Sequence, residues 1–173
     1  MRLFGLVVFL FLSFSCSPEN DGEEDSKAEF ALAAVEDNIL TTDYTALVEI
    51  IKVNVEGIAE DSTAKNDEAL VTVKYTARIL ESYLGQEQKT IEFREYVEKS
   101  EGLSGLSRGV LIVSLCKDKA DNYYLPDIGY ELPAQNVILE RAKKIKRQIK
   151  DKKLTLHKDD ASYACVPHRI GPE

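Results

Sequence analysis

From Val71 to Ile79 apolar and polar side chains alternate without a break: Val71, Val73, Tyr75, Ala77 and Ile79 against Thr72, Lys74, Thr76 and Arg78. A strand turns successive side chains to opposite faces, so this period of two predicts a half-buried strand. The stretch Tyr44–Val55 is rich in β-branched and aromatic residues and predicts extended structure as well. In Tyr83–Gln88 the glycine Gly85 marks a turn, after which Ile91, Phe93 and Val97 resume the alternation as a hairpin partner. Glu98–Gly109 has the Gly and Ser content of a loop. Val110–Cys116 is apolar on both faces, which predicts a central strand covered on each side. Asp118–Asp127 reads as a turn followed by a short edge strand ended by Pro126.

Two segments carry the longer period. In Lys27–Asn38, Phe30, Ala31, Ala34 and Val35 fall at helical spacing and predict a short amphipathic helix. Pro133 opens a second helix in which Ile138, Ala142, Ile145 and Ile149 form one stripe between lysines and arginines. Short strands that close on themselves with helices alongside predict a small β-barrel, mainly β with flanking helices.

The amino terminus follows a different pattern. Met1 and Arg2 precede Leu3–Leu12, ten residues without a polar side chain. A helix of that length rises about 15 Å, half of the roughly 30 Å hydrocarbon layer. A basic start, a short apolar centre and then small residues is the pattern of a secretory signal peptide, here residues 1–15. Residues 16–27 follow as an acidic, flexible tether, because Ser17–Lys27 contains five acids and no aliphatic or aromatic residue larger than the backbone needs. Its root-mean-square reach is about 18 Å. The folded domain is expected over 28–155 and a tail over 156–173.

Charge sharpens the picture. The net charge of −8 becomes −9 once residues 1–15 are removed, since Arg2 is their only charged residue. Residues 19–68 hold fifteen acids against three bases, whereas residues 140–153 hold eight bases against two acids, so the surface is dipolar. A net negative chain repels nucleic acid and anionic lipid on average. The basic helix reads as a solvated outer face packed on the barrel by its apolar stripe.

Leu12–Cys16, "LSFSC", resembles the lipobox of bacterial lipoproteins, in which the cysteine is lipid-modified and becomes the acylated first residue of the mature chain. Ser15 fits that pattern; Ser13 stands where the family prefers leucine, with Leu12 one place earlier. The resemblance implies a membrane anchor on Cys16 and, with Ser17 following, the outer membrane facing the periplasm. Several acyl chains together hold stably where one does not. Ser13 and Ser15 also have the spacing that an ordinary signal peptidase accepts, which would release a soluble periplasmic or secreted protein beginning with a free Cys16. Of the three cysteines, lipidation of Cys16 leaves Cys116 and Cys165, which either bond to each other or remain two buried thiols; export favours the bond.

Val71–Glu95 and Arg108–Gly129 resemble the bacterial relatives of the netrin-like module, the OB-like barrel of tissue inhibitors of metalloproteinases. The first segment has that family's alternating strand, glycine turn and following strand; the second has its glycine, apolar strand ending near a cysteine, turn and tyrosine-bearing strand. The resemblance covers roughly residues 28–150 and implies a small OB-like closed β-barrel. Metalloproteinase inhibitors of this fold begin with Cys-x-Cys and chelate the protease zinc through the first residue's amine and carbonyl. Here Ser17 and Pro18 follow Cys16, and an acylated amine has no lone pair for zinc.

Chemistry elsewhere is sparse. Cys165, His168 and His157 with Asp159 or Asp160 would suit zinc by donor type, but C-x-x-H is half a signature, and a surface tail pinned by a disulfide is the preferred reading. Cys116 with a histidine is the candidate nucleophile of a hydrolase, set against an inert thiol or disulfide at a strand end. Glu92, Glu95, Glu98 and Glu101 offer carboxylate pairs for acid–base work, with solvated carboxylates as the default. Tyr75, Tyr83, Phe93 and Tyr96 are the aromatics that could serve as stacking platforms for bases, but the barrel segment is not basic. The sequence therefore points to an exported, lipid-anchored envelope protein that acts as a non-enzymatic binding or accessory module with an envelope protein as partner. No catalytic residue, metal, cofactor or nucleic acid enters that expectation. The alternatives are a metalloprotease inhibitor acting through a free Cys16 and a small hydrolase; oligomeric state is open.

Overall fold

The computed structural model describes residues 21–58, 70–98, 106–127, 129–158 and 163–165. In chain order these form α1 (Asp21–Thr41), β1 (Tyr44–Ile58), β2 (Leu70–Leu84), β3 (Thr90–Glu98), β4 (Val110–Lys117), β5 (Tyr123–Tyr124), β6 (Glu131–Pro133) and α2 (Asn136–Lys150). The strand order β1-β2-β3-β5-β4 closes on itself through a second β1–β4 pairing, and β6 adds to β4. All neighbours are antiparallel except β3 and β5, which run parallel at Phe93–Tyr123 and Arg94–Tyr124. The result is a small closed barrel of OB-like order, mainly β, with a helix before it and a helix after it.

Closure depends on β1, whose first half pairs with both β2 and β4. A strand can serve two partners at an angle only if it coils, and the β1–β2 ladder coils at four register shifts, which leave Ile51, Leu80 and Tyr83 as extra residues and set Glu56 and Gly57 against Thr72. These bulges also explain why Ile51 and Leu80, both large and apolar, are exposed: they stand outside the inward alternation.

Two apolar layers follow. Inside the barrel lie Tyr44, Ala46, Val48, Val73, Tyr75, Ala77, Ile91, Phe93, Leu111, Val113, Leu115 and Leu125. Between the barrel wall and the helices lie Val35, Ile39, Tyr83, Ile112, Leu132, Ile138, Ala142 and Ile145. β4 feeds both layers by alternation, with Leu111, Val113 and Leu115 inward and Ile112 outward, which is why it reads as apolar throughout. On the outer side of β4, the buried Ser114 hydroxyl meets Thr45 at 3.0 Å.

At the β2–β3 turn, Gly85 has φ +90°, and a side chain there would run into the Tyr44 ring. Only glycine meets both demands at low cost.

Several expectations change. α1 begins at Asp21, inside the segment read as tether, and is 21 residues long. β5 is not an edge strand, since β3 flanks it on one side and β4 on the other. Pro133 ends β6 rather than opening α2, which starts after the extended Gln135. Ile138, Ala142 and Ile145 are buried as the helical stripe requires. No described helix is long and apolar enough to cross a membrane.

Candidate functional site

The inner wall of the barrel is mainly apolar, broken by the buried Tyr44–Ser82 hydroxyl pair at 3.1 Å and by two carboxylates at one mouth. There the inward alternation of β3, Ile91 and Phe93, continues to Glu95, and β6 places Glu131 beside Val113 of β4. Tyr75 of β2 donates its hydroxyl to Glu95 Oε2 at 2.6 Å and stacks on Phe93 with ring centroids 4.9 Å apart. Ser107, just before β4, donates to Glu131 Oε2. The second oxygen, Glu131 Oε1, is buried and has no hydrogen-bond partner among the described residues.

The electrostatics follow from this placement. Burial holds the Glu131 carboxyl above its usual range, helped by the Glu95 charge and opposed by the Ser107 hydroxyl. The Tyr75 phenol is held firmly neutral by burial and by its bond to Glu95. The mouth is thus electronegative and retains a proton longer than a solvated carboxylate pair, an arrangement suited to a ligand that donates hydrogen bonds. A buried carboxylate oxygen without a partner is costly unless protonated or met by a donor.

The outer face of β1–β3 has another character. Lys74 pairs with Glu92 at 2.9 Å, Arg78 with Glu49, and Arg94 with Glu56 at 3.8 Å. These three cations each face a carboxylate across the sheet. Of the four aromatics singled out in sequence, Tyr75 and Phe93 lie inside the barrel, Tyr83 lies in the layer between barrel wall and helices, and Tyr96 is half-buried on β3.

Cys116 and Cys165 are joined as a disulfide, with Cα atoms 5.1 Å apart and a sequence separation of 49. Neither sulfur is available as nucleophile or metal ligand. The tail is held by more than the bond. Tyr163 donates its hydroxyl to Asp43 Oδ1 at 2.5 Å, Ala164 N–H donates to the Thr41 carbonyl and His157 N–H to the Leu40 carbonyl. Asp43 also accepts from the Lys117 amide at 3.0 Å, so one carboxylate ties the start of β1 to the end of β4 and to the tail.

Of the residues singled out in sequence, Glu95 turns inward, Glu92 outward to Lys74, and Glu98 is exposed. Among the described residues no group of three or more His, Cys, Asp or Glu is placed to hold a metal. His157 is exposed. Cys16, Glu101, Asp159, Asp160 and His168 lie outside the described residues. Glu131, Ser107 and the pairing of Tyr75 with Glu95 escape sequence reasoning because they depend on β6, a strand of three residues without its own pattern. The one local signal is Glu131 next to the buried Leu132, alternating into the barrel.

No protein-family model matches this chain, and no curated protein matches it. Fold and site together define an OB-like closed barrel with a polar mouth and a disulfide-pinned tail.

Proposed function

We propose that this chain is an exported, lipid-anchored envelope protein whose barrel serves as a non-enzymatic binding or accessory module. The observation that carries the reading is the Cys116–Cys165 disulfide, because such bonds persist in oxidising compartments outside the cytoplasm. The basic and apolar start of the chain and the lipobox-like Leu12–Cys16 point the same way. The mouth of the barrel supports a binding role: Glu95 and Glu131 set two carboxylates there, one bonded to the buried Tyr75 hydroxyl and one with an oxygen lacking a partner among the described residues. The OB-like strand order fits the netrin-like resemblance, within which the acylated Cys16 would have lost the amine that zinc chelation needs. An envelope protein is the expected partner.

Mass spectrometry of the amino-terminal peptide from bacterial envelope preparations tests the reading. A diacylglyceryl, N-acylated Cys16 is the expected result. An unmodified amino-terminal Cys16, with inhibition of a zinc protease that disappears on acetylating the amine, would replace it by the chelating inhibitor.

A further inference from the structure

Among the described residues, β1 is covered on the side away from β2 only as far as β4 reaches. The pairing of Glu49 with Val110 ends the ladder, and one further bond runs from the Ile50 amide to the Gly109 carbonyl at 2.9 Å. At Gly109 the backbone takes φ +79° and leaves β1. From Ile51 to Ile58, β1 pairs with β2 alone among the described residues. A row of unpaired backbone donors and acceptors is a template for another strand. Here it carries Ile51 and Val55, exposed by 57% and 46%.

The sequence of this edge is self-complementary. Across an antiparallel pair, directly opposite residues share a face, so a two-fold axis normal to the sheet between identical strands must pass through a residue. Through Asn54 it sets Lys52 opposite Glu56 and Val53 opposite Val55. The faces agree: Val53 and Val55 stand with Tyr75 and Val73 on the inner side, Lys52 and Asn54 with Thr76 and Lys74 on the outer, and Glu56, at the next register shift, reaches Arg94, the ladder partner of Lys74. Centring on Val53 or Val55 instead loses the charge pair. Among the described residues of one chain Glu56 is held at 3.8 Å by Arg94, and Lys52 acts at a distance on Glu92. Both charges therefore have room to meet a new partner.

We propose that the open edge of β1 is a self-association surface, on which a second copy of this chain adds antiparallel about an axis through Asn54. The two three-stranded walls β1–β2–β3 then become one continuous sheet. The exposed Val55 gains Val53 of the other copy as its neighbour, and the two Lys52–Glu56 pairs fix the register.

Sedimentation of the full-length chain in detergent, across a concentration series, tests this with Lys52→Glu, Glu56→Lys and the double substitution. Each single change sets like charges against each other twice, and the dimer should weaken about tenfold. The double change restores opposite charges and should return affinity to within about twofold of the parent. Association that ignores both single changes would belong to another surface and would overturn the proposal, as would a parent chain that stays monomeric throughout. A second readout does not depend on charge. With Cys16→Ser in the background, Asn54→Cys should form a bond between copies while Glu92→Cys does not; equal cross-linking, or none, would also overturn it.

Discussion

The two halves of β1 are alike in composition and opposite in surroundings. Tyr44–Ile50 lies between β2 and β4, and Tyr44, Thr45, Ala46 and Val48 are buried; Ile51–Ile58 keeps one neighbour among the described residues, and its apolar Ile51 and Val55 face solvent. Nothing in β-propensity separates Val48 from Val55. The difference is made by the far end of the chain, where β4 arrives at one half and Gly109 turns it away from the other. Strand preference thus decides that β1 exists, and long-range closure decides which part of it is core.

Measurements of stability should divide along the same line. The largest effect is expected from Cys116→Ser with Cys165→Ser, which opens the closed loop that pins the tail over the first half. Loop-closure entropy for 49 residues gives about 4 kcal/mol, read by denaturant unfolding of oxidised and substituted chains. Next is Val48→Ala, at about 2–3 kcal/mol for a fully buried aliphatic side chain, against well under 1 kcal/mol for Val55→Ala. Equal costs at the two valines would erase the distinction drawn here. Gly85→Ala should cost about 2 kcal/mol, because a positive φ is combined with a clash against the Tyr44 ring at the buried end. The smallest effect belongs to the barrel mouth, on the Val55–Val73–Glu95 row of the second half. Glu131 holds its proton above the ordinary glutamate range, so its contribution to stability is full below that range and is lost as pH rises through the raised value. Glu131→Gln should therefore stabilise the protein by about 1 kcal/mol at neutral pH, and the gain should vanish as the pH falls to the ordinary glutamate range. A gain independent of pH would remove burial of the charged form as its cause.

Strong periods made much of this fold legible. The alternation at Val71–Ile79 and the stripe Ile138, Ala142, Ile145 each record one buried face, and β4 records two. What stayed hidden was fixed by partners rather than by pattern. β5 has two residues and is a strand only because β3 and β4 stand on either side of it. The polar mouth was half legible: Glu95 is in phase with Ile91 and Phe93, but its partners Tyr75 and Glu131 come from strands that pattern alone does not bring together. The amino-terminal helix extends further back than its apolar spacing suggested, since Asp21–Lys27 offers no apolar stripe and carries acids that favour a helix start.

The clasp at Asp43 has a mechanical consequence. A chain held at its amino terminus and pulled from a bound partner would transmit force through α1 into the first residue of β1. There the load meets Asp43, whose carboxylate is shared by the Lys117 amide and the Tyr163 hydroxyl, beside the covalent Cys116–Cys165 link. Tension then spreads over β1, β4 and the tail together instead of peeling one strand from its neighbour. A barrel clasped in this way would yield in its outer helices before its wall.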